Sequence, residues 1–229
     1  NTLETITNFN EILSTSSIKG KLVIITELKN SLLMNFAKKY KAKIIEHKKY
    51  IGGRYSIFSE VGMFPAALMG LKLEKFKNIK NLVKNKNFIS SLIKNVATIY
   101  TLTQNKIYNS IILNYDSDIN DLGYWYQQLA AESLGKKGKG INPILSFCPK
   151  DHHSLLQLYI DGPKDKFFTF FTSLNKKNHF KLTQNAIKAE SNALKNIFKI
   201  KKIPFRNIYF NNKNEEEMGE IFIFFILET

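Results

Sequence analysis

Short, nearly uncharged apolar runs alternate along the chain with longer segments whose apolar residues recur every three or four positions. The runs at 21–26, 110–115 and 166–173 are typical of strands buried on both faces of a parallel sheet. Each of the longer segments presents one apolar face, which predicts amphipathic helices packed on such a sheet. The alternation therefore predicts a layered α/β fold with largely parallel sheets.

The same pattern places the individual elements and divides the chain into two α/β units. Strands are predicted at 21–26, 42–46, 110–115, 143–147, 166–173 and 204–210. Helices are predicted at 2–13, from a cap at Asn30 to 40, from Ser56 or Ser59 to 71, at 74–84, 87–104, 119–134, 152–160 and 183–198, and from 215 onwards. Because 74–84 and 87–104 follow each other with no strand between them, they predict a helical connection. The domain boundary is therefore placed between 1–86 and 87–229.

The chain carries 34 lysines and arginines against 19 acidic residues, which gives a net charge of +15. A basic surface is one signature of nucleic-acid binding, because clustered cations release counterions from phosphates. Nearly all of these cations are lysines scattered along the whole sequence, which favours a compositional bias and predicts no nucleic-acid partner. Arg54 and Arg206 are the only arginines, so each is a candidate for a role that needs the planar guanidinium fork.

The cysteine and histidine content and the hydropathy of the chain exclude several classes of protein. Cys148 is the only cysteine, which excludes an intrachain disulfide and fits a reducing cytoplasm. The four histidines have no metal-binding spacing, so neither a metal nor another cofactor is predicted. The longest apolar run, 221–227, is far shorter than the roughly 20 residues that span a bilayer. We therefore expect a soluble cytoplasmic protein without membrane contact.

The stretch 127–157 delivers an acid and a base from consecutive predicted elements. Glu132 lies near the end of a helix closed by Gly135. We expect partial desolvation beside the apolar face of that helix to raise its pKa toward that of a general base, and the alternative is a solvated surface glutamate. His152 and His153 begin the next helix and point about 100° apart, so only one of them faces a given pocket. The other histidine is structural or solvated.

Two further motifs are suited to binding an anionic substrate. In GGRYS at 52–56, the paired glycines allow left-handed backbone and close approach at Gly53, and Arg54 can hold an oxyanion. The alternative is an ordinary turn with a surface arginine. Thr2 and Thr5 stand at a predicted helix start, where hydroxyls and free amides suit a phosphate. A simple helix cap is the alternative there.

Together and in this order, these motifs resemble those of glucose-6-phosphate isomerases, over essentially the whole chain. GGRYS at 52–56 resembles the GGR-F/Y-S signature of the family, and AAESLGK at 130–136 resembles its ESxGK motif. HSLLQLYIDGP at 153–163 resembles the motif around the catalytic histidine. NTLET at 1–5 resembles the second half of the family's phosphate loop. The resemblance implies layered α/β/α sugar-isomerase (SIS-type) units with largely parallel sheets.

The resemblance also implies an enzyme of glycolysis and gluconeogenesis that interconverts glucose 6-phosphate and fructose 6-phosphate through a cis-enediol(ate). Glu132 would move the proton between C1 and C2, Arg54 would stabilise the enediolate, and His153 would assist ring opening. No metal or redox cofactor would take part. The substrate-binding residues would be Thr2, Thr5 and Gly53. The family's active site lies at the interface of a homodimer, with the histidine supplied by the partner subunit.

Two residues depart from the family pattern. Glu60 stands where a small residue is usual, and His152 stands where a glutamine commonly precedes the histidine. By resemblance, 1–86 is the C-terminal part of a first sugar-isomerase domain, and 87–229 is a second domain truncated at its C-terminus. The start of the phosphate loop and a motif with a catalytic lysine lie outside the chain. We therefore expect a fragment of a longer protein, with little or no activity by itself.

Two hypotheses from other classes remain open at the level of sequence. A non-catalytic sugar-phosphate sensor of the same fold would keep the threonines but has no need for Glu132, Arg54 and His153 together. Binding of fructose 6-phosphate without turnover would favour the sensor. Nucleic-acid binding through the +15 charge predicts salt-sensitive retention on heparin or DNA.

Overall fold

The computed structural model describes residues 2–14, 21–76, 79–174 and 181–229. The backbone divides into two compact units, Asn1–Leu73 and Glu74–Thr229. A two-stranded parallel sheet belongs to the first unit and a four-stranded parallel sheet to the second. The predicted α/β class with parallel sheets is therefore confirmed. The assignment of 1–86 and 87–229 to two sugar-isomerase domains stays a prediction.

In the first unit, a parallel pair of short strands carries the segment from which the Gly-Gly turn emerges. Ile24 of the first strand lies opposite Ile44 of the second, and the first strand packs on Phe36 and Ala37 of a helix. The elements are α1 (Thr2–Ser14), β1 (Val23–Thr26), α2 (Leu32–Lys39), β2 (Lys43–Glu46), a 3₁₀ helix (Gly53–Phe58) and α3 (Glu60–Leu68).

Serine side chains start both α2 and α3. Ser31, and not the predicted Asn30, caps α2, because its hydroxyl accepts from the amide of Met34 at 3.2 Å. Ser59 caps α3 by accepting from the amide of Val61 at 3.2 Å, which decides between Ser56 and Ser59. The helix stops before the predicted position 71 because the chain turns at Gly70, whose φ of +79° favours glycine.

The second unit contains a four-stranded sheet in the order β4-β3-β5-β6, with every pair parallel. Its topological switch point lies between β3 and β5, where the connections leave in opposite directions. With a helix at the unit boundary, the elements are α4 (Leu73–Phe76), α5 (Ile79–Lys84), α6 (Lys86–Gln104), β3 (Asn109–Asn114), α7 (Asn120–Leu134), β4 (Asn142–Phe147), α8 (His152–Asp161), β5 (Lys166–Ser173), α9 (Lys181–Ile200), β6 (Phe205–Phe210) and α10 (Glu215–Glu228).

Helices cover both faces of this sheet. On one face, Phe168 and Phe170 of β5 contact Phe198 of α9, with ring centroids 4.6 and 5.7 Å apart. On the other face, Phe171 contacts Phe225 of α10 at 5.9 Å. All five rings are fully buried. Because β5 buries both of its faces, its sequence is apolar without alternation, as expected for a central parallel strand.

A buried polar network, which we call the Arg206 cluster, joins β6 to three helices. Arg206 donates through Nε to Thr169 Oγ1 at 2.9 Å, through Nη1 to Asn95 Oδ1 at 2.9 Å and through Nη2 to Tyr126 OH at 3.0 Å. Both of its Nη atoms also contact the Glu228 carboxylate. Burial disfavours the charged guanidinium, but Tyr126 and Glu228 outweigh burial and raise the pKa of Arg206. Of the two arginines predicted to need a planar guanidinium, Arg206 thus uses it for hydrogen bonds within the fold.

None of the helices in the described ranges is both long enough and apolar enough to span a bilayer.

Candidate functional site

The Gly-Gly-Arg motif forms the first turn of the 3₁₀ helix Gly53–Phe58, between β2 and α3. The amide of Tyr55 donates to the carbonyl of Gly52 at 2.9 Å, and the Ser56 hydroxyl donates to the carbonyl of Gly53 at 2.7 Å. The Arg54 guanidinium carbon lies 4.8 Å from the centroid of the Tyr55 ring. These contacts hold the backbone that carries Arg54, whose side chain is half-buried.

The glycines of this motif work differently from the expectation. Neither of them has a positive φ, because the turn is a 3₁₀ helix entered from an extended Gly52 with φ of −67°. The expected left-handed backbone is therefore wrong. A Cβ built on Gly53 would meet no atom within 4 Å, so this glycine leaves open space beside Arg54, which fits close approach by a ligand.

The proposed phosphate-binding threonines lie in the first turns of α1, which begins at Thr2. Thr5 is exposed. The side chain of Thr2 lies outside what the structure describes, as does all of Asn1. The role of Thr2 and Thr5 in binding phosphate stays a prediction.

Glu132 lies in the last turn of α7 and is exposed. Its Oε1 accepts a hydrogen bond from Gln128 Nε2 at 2.9 Å. The buried face of the helix includes Tyr126 and Leu129, and Glu132 lies about 60° from Leu129 around the helix axis, at the border of that face, where it stays exposed. The desolvation expected for Glu132 is therefore not found within this chain. Its role as the base stays a prediction.

The loop after α7 concentrates positive charge near Glu132. Lys136 and Lys139 close a tight turn through an amide-to-carbonyl bond of 3.1 Å, with Lys137 at φ 53° and Gly138 at φ 71°. All three lysines are exposed. A cavity of about 440 Å³ lies against this loop and α6. This end of α7 thus combines a carboxylate with a field that attracts anions.

The two adjacent histidines have different environments. The Nε2 atom of His152 lies 2.8 Å from the hydroxyl of Tyr115, and its Nδ1 atom lies 3.9 Å from a carboxylate oxygen of Glu190. Burial lowers the pKa of His152, and Glu190 opposes the shift only partly. His153 is exposed at the start of α8. His152 is therefore the inward-facing histidine of the pair, and His153 is the one accessible from outside.

Glu132 and His153 lie at opposite edges of the four-stranded sheet. Because β3 and β4 are parallel, the intervening α7 runs back and ends where β4 begins, whereas α8 starts where β4 ends. The six residues of β4 separate the two edges by about 20 Å. An acid and a base on consecutive elements are therefore far apart within one chain. The supply of the histidine by a partner subunit stays a prediction.

The switch point of the sheet is closed by an internal ion pair. The buried Asp116, which follows β3, accepts from the Ser173 hydroxyl and from Lys213 Nζ, the latter at 2.9 Å. Lys213 also donates to Asp118 at 2.6 Å. Ligands often bind at this position in open α/β sheets, but here the local charges are paired with each other.

Sequence reasoning missed a pairing between His47 and Glu60. His47 Nδ1 lies against Glu60 Oε1, and His47 Nε2 donates to the carbonyl of Ile51 at 3.0 Å. Glu60, chiefly through hydrogen bonding, raises the pKa of His47, while hydrogen bonds from its own amide and from His47 lower the pKa of Glu60. Their positions in the sequence could have indicated the pair. His47 follows the predicted strand β2 and Glu60 begins α3, so the two residues lie on either side of the turn that carries Arg54.

The described residues contain no group of three or more His, Cys, Asp and Glu side chains arranged to hold a metal ion. Cys148 is half-buried, and burial raises the pKa of its thiol to about 12. This thiol is therefore protonated at neutral pH.

The two units with parallel sheets define an α/β protein, with an arginine on a Gly-Gly turn in the first unit and a glutamate at a helix end in the second. The family model of phosphoglucose isomerase matches residues 2–147. The chain belongs to the phosphoglucose isomerase family.

Relatives in sequence carry names consistent with this membership. The chain is 36% identical over 182 residues to a glucose-6-phosphate isomerase from Methanocaldococcus jannaschii, covering 76% of this chain and 45% of that protein. It is 28% identical over 249 aligned positions to a probable glucose-6-phosphate isomerase from Methanococcus maripaludis, covering 100% and 57%. The chain thus spans about half the length of the curated relatives it matches.

Solved structures support the fold independently. A hypothetical protein from Thermus thermophilus superposes with a TM-score of 0.82 at 21% identity, covering 99% of this chain and 61% of that chain. A glucose-6-phosphate isomerase from Chlamydia trachomatis superposes with a TM-score of 0.72 at 14% identity, covering 97% and 50%. At these identities the likeness establishes the fold alone.

Proposed function

We propose that the chain forms part of a glucose-6-phosphate isomerase, which interconverts glucose 6-phosphate and fructose 6-phosphate in glycolysis and gluconeogenesis, in the cytoplasm. The observation that carries the proposal is the match of the family model to residues 2–147, a region that includes both Arg54 and Glu132. The relatives named as glucose-6-phosphate isomerases support the same activity.

In the proposed mechanism, the side chains supply proton transfer and charge stabilisation. His153 assists opening of the sugar ring by proton transfer at the ring oxygen, which an imidazole can perform near neutral pH. Glu132 then removes the proton from C2 and returns it to C1, through a cis-enediol(ate). Arg54 stabilises the oxygen that becomes anionic, and Gly53 leaves room for the sugar beside it. The residues that hold the phosphate are Thr2 and Thr5, and the steps require no metal or redox cofactor.

The proposed site belongs to two copies of the chain. Glu132 and His153 lie at opposite edges of one sheet, about 20 Å apart along β4. One substrate reaches both groups only if the histidine comes from a second copy. The exposure of both side chains fits groups that approach each other across an interface. We therefore propose a homodimer with the active site at its interface.

The alternative is a sensor that binds the sugar phosphate without converting it. A calorimetric titration with fructose 6-phosphate and a coupled isomerase assay, both on the product of the complete reading frame, separate the two. We expect binding together with turnover in both directions. Binding of fructose 6-phosphate with no turnover would contradict the enzymatic proposal and favour the sensor.

A further inference from the structure

His47 connects three parts of the first unit around the turn that carries Arg54. It follows the last residue of β2, its Nδ1 contacts the carboxylate of Glu60 in the first turn of α3, and its Nε2 donates to the carbonyl of Ile51 at 3.0 Å. The His47 and Glu60 side chains retain only 16% and 23% of their exposure. Ile51 immediately precedes the two glycines, so the imidazole is attached to the entrance of the turn.

The two contacts require the doubly protonated ring. A carbonyl oxygen only accepts, so Nε2 must carry a proton to bond Ile51. The other ring nitrogen faces a carboxylate, which also only accepts when it is ionised. A neutral imidazole has a single N–H and satisfies one of these partners at most. Loss of a proton therefore breaks the link either to Glu60 or to Ile51.

The exit of the turn is attached to the same helix as Glu60. The Ser56 hydroxyl donates to the carbonyl of Gly53, and the Ser59 hydroxyl donates to the carbonyl of Ser56, both at 2.7 Å. Ser59 in turn caps α3. Since Glu60 is the next residue, the His47–Glu60 contact joins the entrance of the turn to its exit and closes the segment 47–60 into a ring.

The neighbouring charges favour the imidazolium. Glu60 faces His47 from α3, and Glu27 adds negative charge from the segment after β1. On the other side, the cation of Lys48 is paired with Glu46 at 2.7 Å. Hydrogen bonding to Glu60 is the largest cause of the raised pKa of His47. Below the raised pKa of His47 the ring carries both protons, and the link is complete. As the pH rises through that pKa, the ring loses one proton and the link is broken.

We propose that His47 is a positioning residue, whose imidazolium joins Glu60 to the Ile51 carbonyl and so holds the turn that presents Arg54 to the substrate. The contribution of His47 to catalysis rests on the proposed isomerase function, in which Arg54 stabilises the enediolate. The positioning itself depends only on the hydrogen bonds of the first unit. Glu60, which departs from the family pattern, is then the residue that keeps His47 charged.

The two arginines of the chain make a direct spectroscopic test possible. In ¹⁵N-arginine-labelled chain, the Nε–H signals report Arg54 and Arg206 separately, and Arg206 serves as an internal control because its Nε–H is fixed to Thr169. We expect the Arg54 signal to shift between two forms with the same midpoint as the His47 ring, while the Arg206 signal stays constant. The ring midpoint should lie above about 6.5.

Variants separate the link from general effects of charge. Glu60→Gln is expected to lower the midpoint of both the His47 and the Arg54 transitions by about 1 pH unit, because an adjacent opposite charge is lost. Glu46→Gln removes a carboxylate that contacts Lys48 and not His47, and it should lower both midpoints far less than Glu60→Gln does. His47→Gln should abolish the transition and hold Arg54 in its high-pH form.

An Arg54 signal that stays constant while His47 titrates would overturn the positioning role, as would an Arg54 midpoint unchanged by Glu60→Gln. Neither result depends on folding of the His47 variant. In the isomerase assay, we expect kcat to fall along the Arg54 transition with KM little changed. If the Arg54 transition occurs but no isomerase activity exists, the proposed function fails while the positioning of Arg54 stands.

Discussion

Replacement of Glu132 by Gln is expected to lower kcat for isomerisation by about 10³-fold, within the range that a positioned general base contributes. The amide has the same shape and can keep the contact that Gln128 now makes with Oε1 at 2.9 Å, but it cannot accept a proton from C2. KM should change little, since the proposed mechanism assigns phosphate binding to Thr2 and Thr5. The measurement is a coupled assay in both directions on the product of the complete reading frame.

Two further variants calibrate this result. Glu132→Asp keeps a carboxylate but withdraws it by one methylene, so its kcat should fall between those of wild type and Glu132→Gln. Glu74→Gln removes another exposed carboxylate, from α4, and should leave kcat unchanged. Near-wild-type turnover by Glu132→Gln would show that Glu132 is not the base.

The second large effect concerns stability. Replacement of Arg206 by Met leaves the Glu228 carboxylate, whose side chain is 4% exposed, without its cation. Breaking a buried ion pair in this way costs about 3–5 kcal/mol. Arg206→Lys should be intermediate, because an ammonium cannot reproduce the separate bonds to Thr169, Asn95 and Tyr126.

Urea denaturation followed by tryptophan fluorescence measures this loss within the second unit. Trp125 is the only tryptophan, and its ring contacts Phe222 of α10 at 5.2 Å, the helix that carries Glu228. Combining Arg206→Met with Glu228→Gln should recover part of the lost stability, since no unpaired charge remains buried. A single Arg206→Met variant within about 1 kcal/mol of wild type would contradict the assigned role of the Arg206 cluster.

The period of the apolar residues was sufficient to predict the α/β class and most elements. β5 was predicted at 166–173 and observed at Lys166–Ser173, because a strand buried on both faces has an uninterrupted apolar signature. Helix starts were less predictable. Asn30 and Ser31 are both good capping residues, and only the observed hydrogen bond to Met34 distinguishes them.

Sequence motifs predicted the residues of the candidate site, but they did not predict the burial or the contacts of those residues. The exposure of Glu132 depends on which face of α7 packs against the rest of the fold. The buried residues of α7 occupy a narrower face of the helix than the distribution of its apolar residues predicted. The pair of His47 and Glu60 is separated by thirteen positions, and Arg206 and Glu228 by twenty-two. No periodic pattern links residues at such separations, because the intervening turn or helix sets their geometry.

The separation of Glu132 and His153 follows from the parallel topology of β3 and β4. In a parallel crossover, the helix ends at the edge where the next strand begins. A glutamate at the end of α7 and a histidine after β4 therefore had to lie at opposite edges. The short separation of Glu132 and His153 along the sequence therefore does not make them neighbours within one copy of the chain.

The shared site is tested most directly by complementation between two inactive variants. Glu132→Gln and His153→Gln subunits are mixed, dissociated and allowed to reassemble. If each site takes Glu132 from one copy and His153 from the other, a mixed dimer contains one intact site. Random pairing then restores about one quarter of wild-type activity. Activity no greater than that of the separate variants would contradict a site built from two copies.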